Sequence, residues 1–205
     1  MSNLMHAVQQ HLSDDVIMQL SRQIGAQDPN QVKSAAFNGA ELLFNAIARN
    51  ANNGDRGSGL YGAIEKDHDG GILGNLMGIL TGQQAVENKS TMNGEGIVSH
   101  LLGKQQLEAA QLISQSSGLN FFKSGVLMQL IAPIVMGTVG QTRKSSGFDL
   151  GGLAKVLMGG VQQQQQQQRS SGGGLGDVFG KLLDRDGDGS MMDDLLNIGM
   201  NMMKK

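Results

Sequence analysis

The stretch NQVKSAAFNGAELLFNAIARN, residues 30–50, decides the fold class of this chain. Its apolar side chains recur at steps of three or four residues, which is the spacing of one buried helical face. These side chains are Val32, Ala36, Ala40, Leu43 and Ile47. Asp28 and Pro29 stand just before them, a capping carboxylate followed by a proline suited to the first helical position. The pattern predicts a long helix with one face in the core.

Similar helical signals occur on both sides of this stretch. Ser13 precedes a short amphipathic segment, and residues 105–117 repeat the apolar spacing. Asn120 is placed to cap a long apolar helix, which Pro133 is expected to kink or divide. No segment alternates with the period of two that strands show. The fold class is therefore predicted to be all-α, with a compact helical domain over residues 1–140.

The composition changes after the helical domain. Residues 141–174 contain clusters of glycine and seven consecutive glutamines at residues 162–168. Such a segment buries too little apolar surface to offset the entropy of ordering its backbone. We expect a disordered Gly/Gln-rich linker here, followed by a short helix–loop–helix module at residues 175–205.

Charge and composition exclude several classes of function. Lys and Arg number 16 against 18 Asp and Glu, so no positive surplus favours binding to nucleic acid. The absence of cysteine excludes disulfides and thiolate chemistry. The apolar run at residues 126–139 is shorter than a membrane span and is interrupted by Gln129 and Pro133. We expect no transmembrane segment, and the lack of a signal-peptide pattern predicts a cytoplasmic protein.

The sequence DRDGDGSMMDD, residues 184–194, contains the residues that predict cation binding. Asp184, Asp186 and Asp188 stand at alternate positions ahead of a glycine, as in the first half of an EF-hand loop. Carboxylates so spaced in a tight turn converge on one point, and Ser190 would add its backbone carbonyl. Hard oxygen ligands of this kind favour Ca²⁺.

The second half of this loop departs from the EF-hand. Leu195 stands where the EF-hand has its bidentate glutamate, and Asp194 lies one residue earlier. We interpret this as a loop shortened by one residue, closed by Asp194 with Asp193 or water as a further ligand. The predicted calcium ligands are thus Asp184, Asp186, Asp188, Ser190 and Asp194. The alternative is a solvated acidic turn between two helices.

A fainter copy of the loop lies upstream in EKDHDGGILGNL, residues 65–76. Its oxygen-bearing side chains align with those of the C-terminal loop and predict a second, weaker metal site. They are Glu65, Asp67, Asp69 and Asn75. In this geometry the side chain of His68 would point outward. The alternative is a polar turn between helices, in which Asp67 caps the next helix.

Several stretches together resemble one bacterial family. They are GEGIVSHLLGKQQLEAAQLISQSSGL, VLMQLIAPIVMGTVGQ, DHDGG with ILGNL, and LLDRDGDGSMMDDLL. The chain resembles the family called domain of unknown function 937 over roughly residues 1–140, with the acidic tail as a frequent attachment. The resemblance implies an all-helical bacterial domain without an established activity. The tail resembles the DxDxDG calcium motif.

We therefore expect a non-enzymatic helical protein with a calcium-binding C-terminal loop, acting as a scaffold or interaction protein. No nucleophile or phosphate-loop signature occurs, so no catalytic residue is predicted. One alternative is an enzyme acting on a small molecule, with its pocket among residues 54–103. Another is a membrane- or envelope-associated protein that uses the apolar helix near Ile131. A protein partner is compatible with the scaffold role, but the sequence identifies none.

Overall fold

The structure is a computed structural model that describes residues 2–147 and residue 152. These residues form α-helices joined by short turns, and they contain no strand, which confirms the all-α prediction for this part of the chain. The helices are α1 (Ser2–His11), α2 (Asp14–Gln23), α3 (Pro29–Ala51), α4 (Gly54–Lys66), α5 (Leu76–Leu80), α6 (Gly94–Leu102), α7 (Gln106–Ser117) and α8 (Phe121–Ser146). Short 3₁₀ segments are Leu73–Asn75, Lys89–Met92 and Gly103–Gln105. The predicted module at residues 175–205, with its calcium ligands, lies outside the described residues.

Helices α2, α3 and α8 begin where a local side chain accepts a hydrogen bond from one of their first N–H groups. Asp28 Oδ1 accepts from Asn30 N at 2.8 Å, and Asn120 Oδ1 accepts from Phe122 N at 2.9 Å. Ser13 caps α2 in the same way, with its hydroxyl as the acceptor. The caps predicted from the sequence are confirmed, because each depends on residues only two or three positions away.

The core lies between α3 and α8, with α6 and α7 packed against both. The predicted face of α3 is fully buried, since none of its five apolar side chains has exposed surface. They are Val32, Ala36, Ala40, Leu43 and Ile47. On α8, Ile131, Ile134, Val135 and Val139 are buried to the same degree. Each valine, leucine or isoleucine side chain buried in this way contributes about 1.5–3 kcal/mol to the hydrophobic stabilisation.

Pro133 does not divide the long apolar helix, because α8 continues without a break through it. A proline has no N–H, so the carbonyl of Gln129, four residues earlier, loses its partner within the helix. Gly94, the first residue of α6, lies directly against this carbonyl oxygen. A Cβ on Gly94 would overlap the oxygen. The proline and the glycine therefore form one close backbone contact between α6 and α8.

The helical domain extends beyond residue 140, where we expected the linker to begin. α8 continues to Ser146, and Gly147 ends it with a left-handed φ of 67°. Thr142 and Ser145 donate to backbone carbonyls within this last part. The prediction of disorder was therefore wrong for residues 141–146, where a basic, hydroxyl-rich sequence continues the helix. All but one of the remaining linker residues that follow Gly147 lie outside the described part of the chain.

Among the described helices, α8 alone has the length and composition of a membrane span. It has 26 residues, so it is longer than the apolar run at residues 126–139, which is too short to span a membrane. However, 67% of its most apolar window is buried among the other helices. Such burial is typical of a central core helix.

The close contact at Gly94 gives a direct test of the packing. We expect Gly94→Ala to lower the free energy of unfolding by about 1–3 kcal/mol, because the added methyl group must displace backbone. The matched control is Gly125→Ala, where the new Cβ would lie at an ordinary 3.8 Å from Ala110 Cβ. Urea denaturation followed by far-ultraviolet circular dichroism measures both. Equal stabilities for the two variants would contradict the packing described here.

Candidate functional site

The turn after α4, residues 67–72, packs against the C-terminal half of α8. Gly140 lies so close to the turn that a Cβ there would overlap the carbonyl oxygen of His68. One turn earlier on α8, a Cβ on Gly137 would lie 3.4 Å from the side chain of Leu73. Two glycines on one face of α8 thus let the turn approach the helix backbone. This approach fixes the position of the polar residues that the turn carries.

Asp67 ends α4 and connects the turn to the segment around residue 90. Its Oδ1 accepts from Asn88 Nδ2 at 2.7 Å, and its backbone carbonyl accepts from Thr91 Oγ1 at 2.8 Å. Asp67 therefore lies at the C-terminal end of a helix rather than capping the next one. The polar turn is present, but the capping role considered for Asp67 was wrong.

Two carboxylates of the turn region face basic side chains of α8. Glu65 Oε1 lies 3.2 Å from Arg143 Nη1, and Asp69 Oδ2 lies 2.6 Å from Lys144 Nζ. Arg143 also donates to Tyr61 Oη at 3.1 Å, and its guanidinium carbon lies 5.2 Å from the centre of the tyrosine ring. The hydrogen bond from Lys144 is the main reason that the pKa of Asp69 is below its ordinary value. Both carboxylates thus already have a basic partner on α8.

Asn75, the fourth residue of the predicted upstream site, lies in a different environment. It is exposed in a groove with Gln10, His11 and Ser13, and none of the three predicted carboxylates lines that groove. Across the described residues, no group of three or more His, Asp or Glu side chains is arranged to hold a metal. The structure therefore brings Glu65 and Asp69 to α8 and leaves Asn75 apart from them. Metal binding at this turn stays a prediction.

The structure places His68 inside the domain, so the expectation of an outward side chain was wrong. The residue is only 4% exposed, because its backbone lies directly against Gly140 of α8. Nδ1 of the imidazole is buried and has no hydrogen-bond partner among the described residues. Burial lowers the pKa of His68 below its ordinary value of 6.5, and the nearby Asp67 only partly opposes this. The side chain is therefore a neutral imidazole with unused hydrogen-bonding capacity.

His68 lines a cavity of about 240 Å³ between α4, α6 and α8. The apolar part of its wall is formed by Leu60, Ile97, Leu101 and Met136. Ser90, Asn93 and His100 form an exposed polar rim. All lining residues except Met136 fall within residues 54–103, the region in which the enzyme alternative placed a small-molecule pocket. Glycines are concentrated in this region of the sequence, which indicates close helix contacts, but this pattern does not identify the histidine.

The fold and these sites define a class: an all-helical domain built round one central glycine- and proline-containing helix. A family model for bacterial proteins of unknown function, DUF937, matches residues 6–142. The match covers most of the chain, from α1 into the last part of α8, and the chain belongs to this family. The family resemblance seen in the sequence is thereby confirmed. The chain matches no curated protein and no solved structure.

The burial of His68 predicts that the domain loses stability in mild acid. As the pH falls below about 6.5, histidine in the unfolded chain takes up a proton before the buried imidazole does. We therefore expect the free energy of unfolding to decrease as the pH is lowered from about 7 to about 5. In His68→Gln this decrease should be smaller, because glutamine does not titrate.

Urea denaturation at a series of pH values measures this dependence. His6→Gln is the matched control for the substitution itself, because His6 is exposed on α1. An identical pH slope in His68→Gln and in the wild type would show that His68 does not cause the loss.

Proposed function

We propose that this chain is a non-enzymatic helical scaffold or interaction protein whose C-terminal loop binds one Ca²⁺. The observation that carries the proposal is the placement of Asp184, Asp186 and Asp188 at alternate positions ahead of Gly189. Ser190 and Asp194 complete the proposed ligand set. These residues lie outside the described part, so the support comes from their spacing and chemistry.

The charge density of the loop supports a bound cation. Asp193 and Asp194 bring the number of aspartates to five within residues 184–194, against a single arginine. Like charges at such spacing repel one another, and a divalent cation offsets the repulsion. Aspartate carboxylates and a backbone carbonyl are hard oxygen ligands, which suit Ca²⁺ better than zinc or copper.

The described domain favours the C-terminal loop over the upstream turn as the calcium site. At the upstream turn, a cation would have to displace Arg143 from Glu65 and Lys144 from Asp69. Each displacement leaves a positive side chain next to the incoming cation. The upstream site is therefore the weaker of the two, and the proposal places the calcium in the C-terminal loop.

The proposed mechanism is ordering of the C-terminal module by calcium. An ion that binds only the folded form stabilises that form by mass action, in proportion to the logarithm of its concentration over Kd. A module stabilised in this way can present a surface to a partner when calcium is present. The enzyme alternative requires a reactive group in a pocket. The membrane alternative requires an exposed apolar face on α8.

Calcium titration of the full-length chain by calorimetry tests the proposal. We expect one site with a Kd on the order of 10⁻⁵ to 10⁻³ M, because the bidentate glutamate is missing. Asp186→Ala and Asp194→Ala should each weaken binding by about tenfold or more, since each removes a direct ligand.

Asp193→Ala and Asp69→Ala are the controls. Asp193→Ala should weaken binding less than Asp186→Ala does, because Asp193 has only glycine as its counterpart upstream. Asp69→Ala should bind nearly as the wild type does, because Asp69 is paired with Lys144. If Asp194→Ala binds like the wild type and Asp193→Ala does not, the shortened-loop arrangement is wrong. Absence of binding by the wild type at millimolar Ca²⁺ would overturn the calcium proposal itself.

A further inference from the structure

The cavity beside His68 combines an apolar interior with one buried polar group. Leu60, Leu101 and Met136 are each less than 10% exposed, and they form its inner wall. His68 is the buried polar residue among the lining residues, whereas Ser90 and His100 lie at the exposed rim. Small-molecule sites in proteins have this composition: mostly apolar walls with a few polar groups that fix orientation.

The imidazole of His68 has a ring nitrogen to which no described residue forms a hydrogen bond. Its Nδ1 is buried, and the described residues provide no hydrogen bond to it. Buried polar groups in folded proteins are nearly always paired, so an unpaired one calls for an explanation. A neutral imidazole offers one donor and one acceptor. Nδ1 itself has less than 1 Å² of accessible surface, so a hydroxyl or amide group of a ligand would meet the imidazole at the edge that lines the cavity.

The lining of the cavity selects against charged ligands. Of the described residues that line it, none is Asp, Glu, Lys or Arg. Moving a charged group from water into an apolar cavity is unfavourable unless an opposite charge compensates it. Asp67, which acts on His68 from the neighbouring position, further disfavours an anion.

We propose that the cavity beside His68 binds a small uncharged molecule that has a compact apolar body and one hydroxyl or amide group. The polar group would bond to the imidazole of His68, and the apolar body would pack against Leu60, Leu101 and Met136. The volume of about 240 Å³ is below the range that holds drug-sized ligands, so a single substituted ring fits. This site is separate from the C-terminal loop, and its test is made without calcium.

Phenol is the probe, with toluene and benzoate as matched ligands. Transfer from water to an apolar cavity is more favourable for toluene than for phenol. A preference of the site for phenol must therefore come from a polar contact. In the full-length chain with its four histidines isotope-labelled, we expect phenol to shift the His68 ring signals in a saturable way. The expected Kd is on the order of 10⁻⁴ to 10⁻³ M, about tenfold tighter than for toluene. Benzoate should not shift these signals.

Two variants test the polar contact and the cavity separately. His68→Leu should reverse the preference, so that toluene binds more tightly than phenol; methyl signals of Met136 then report the binding. Ala63→Leu fills the cavity while keeping His68, and it should abolish binding of both ligands. Its matched control is Ser58→Leu on the exposed face of α4, which should bind phenol as the wild type does. If His68→Leu fails to fold by circular dichroism, the Ala63 and Ser58 pair still tests the site.

The proposal is overturned by any of three results. The first is a failure of phenol to saturate the His68 shifts in the wild type. The second is a wild type that binds toluene as tightly as phenol. The third is phenol binding that persists in Ala63→Leu. None of these results depends on whether the C-terminal loop binds calcium.

Discussion

Direct contact between backbones, at positions where no side chain fits, determines how this domain assembles. Gly94 meets the carbonyl of Gln129, which Pro133 leaves without a partner in its helix, and Gly140 meets the carbonyl of His68. At both places a single methyl group would overlap a backbone oxygen. α6 and the turn after α4 can therefore pack closely against α8, and the surfaces between them are buried. The cavity beside His68 lies where these two close contacts bring α4, α6 and α8 together.

The electrostatic arrangement follows from the same geometry. Because the turn lies on α8, the basic residues in the last turns of that helix reach Glu65 and Asp69. Positive side chains at a helix C-terminus also interact favourably with the helix dipole. Except for Arg143, the side chains of these ion pairs are about half exposed, so each pair contributes little to stability. Their larger effect is to occupy the carboxylates that would otherwise be available to a cation.

Local features of the fold could be predicted from the sequence, whereas its long-range contacts could not. The caps at Asp28 and Asn120 and the buried face of α3 depend on residues a few positions apart. The pairing of Glu65 with Arg143, and the burial of His68 against Gly140, join residues that are distant in sequence. The sequence shows the aspartates of the turn, but it does not show the basic residues of α8 that face them. The sequence also gave no indication that the carbonyl released by Pro133 would lie against a glycine.

The helix caps have a consequence for the order in which the chain folds. Each cap at Ser13, Asp28 and Asn120 is completed by backbone at most three residues away. The starts of α2, α3 and α8 are therefore encoded locally and need no other helix to be in place. Contacts between distant residues form only after the intervening chain has closed a loop, which is slow. We expect the starts of these helices to form early and the glycine contacts on α8 to form late. The cavity should therefore be among the last features to form.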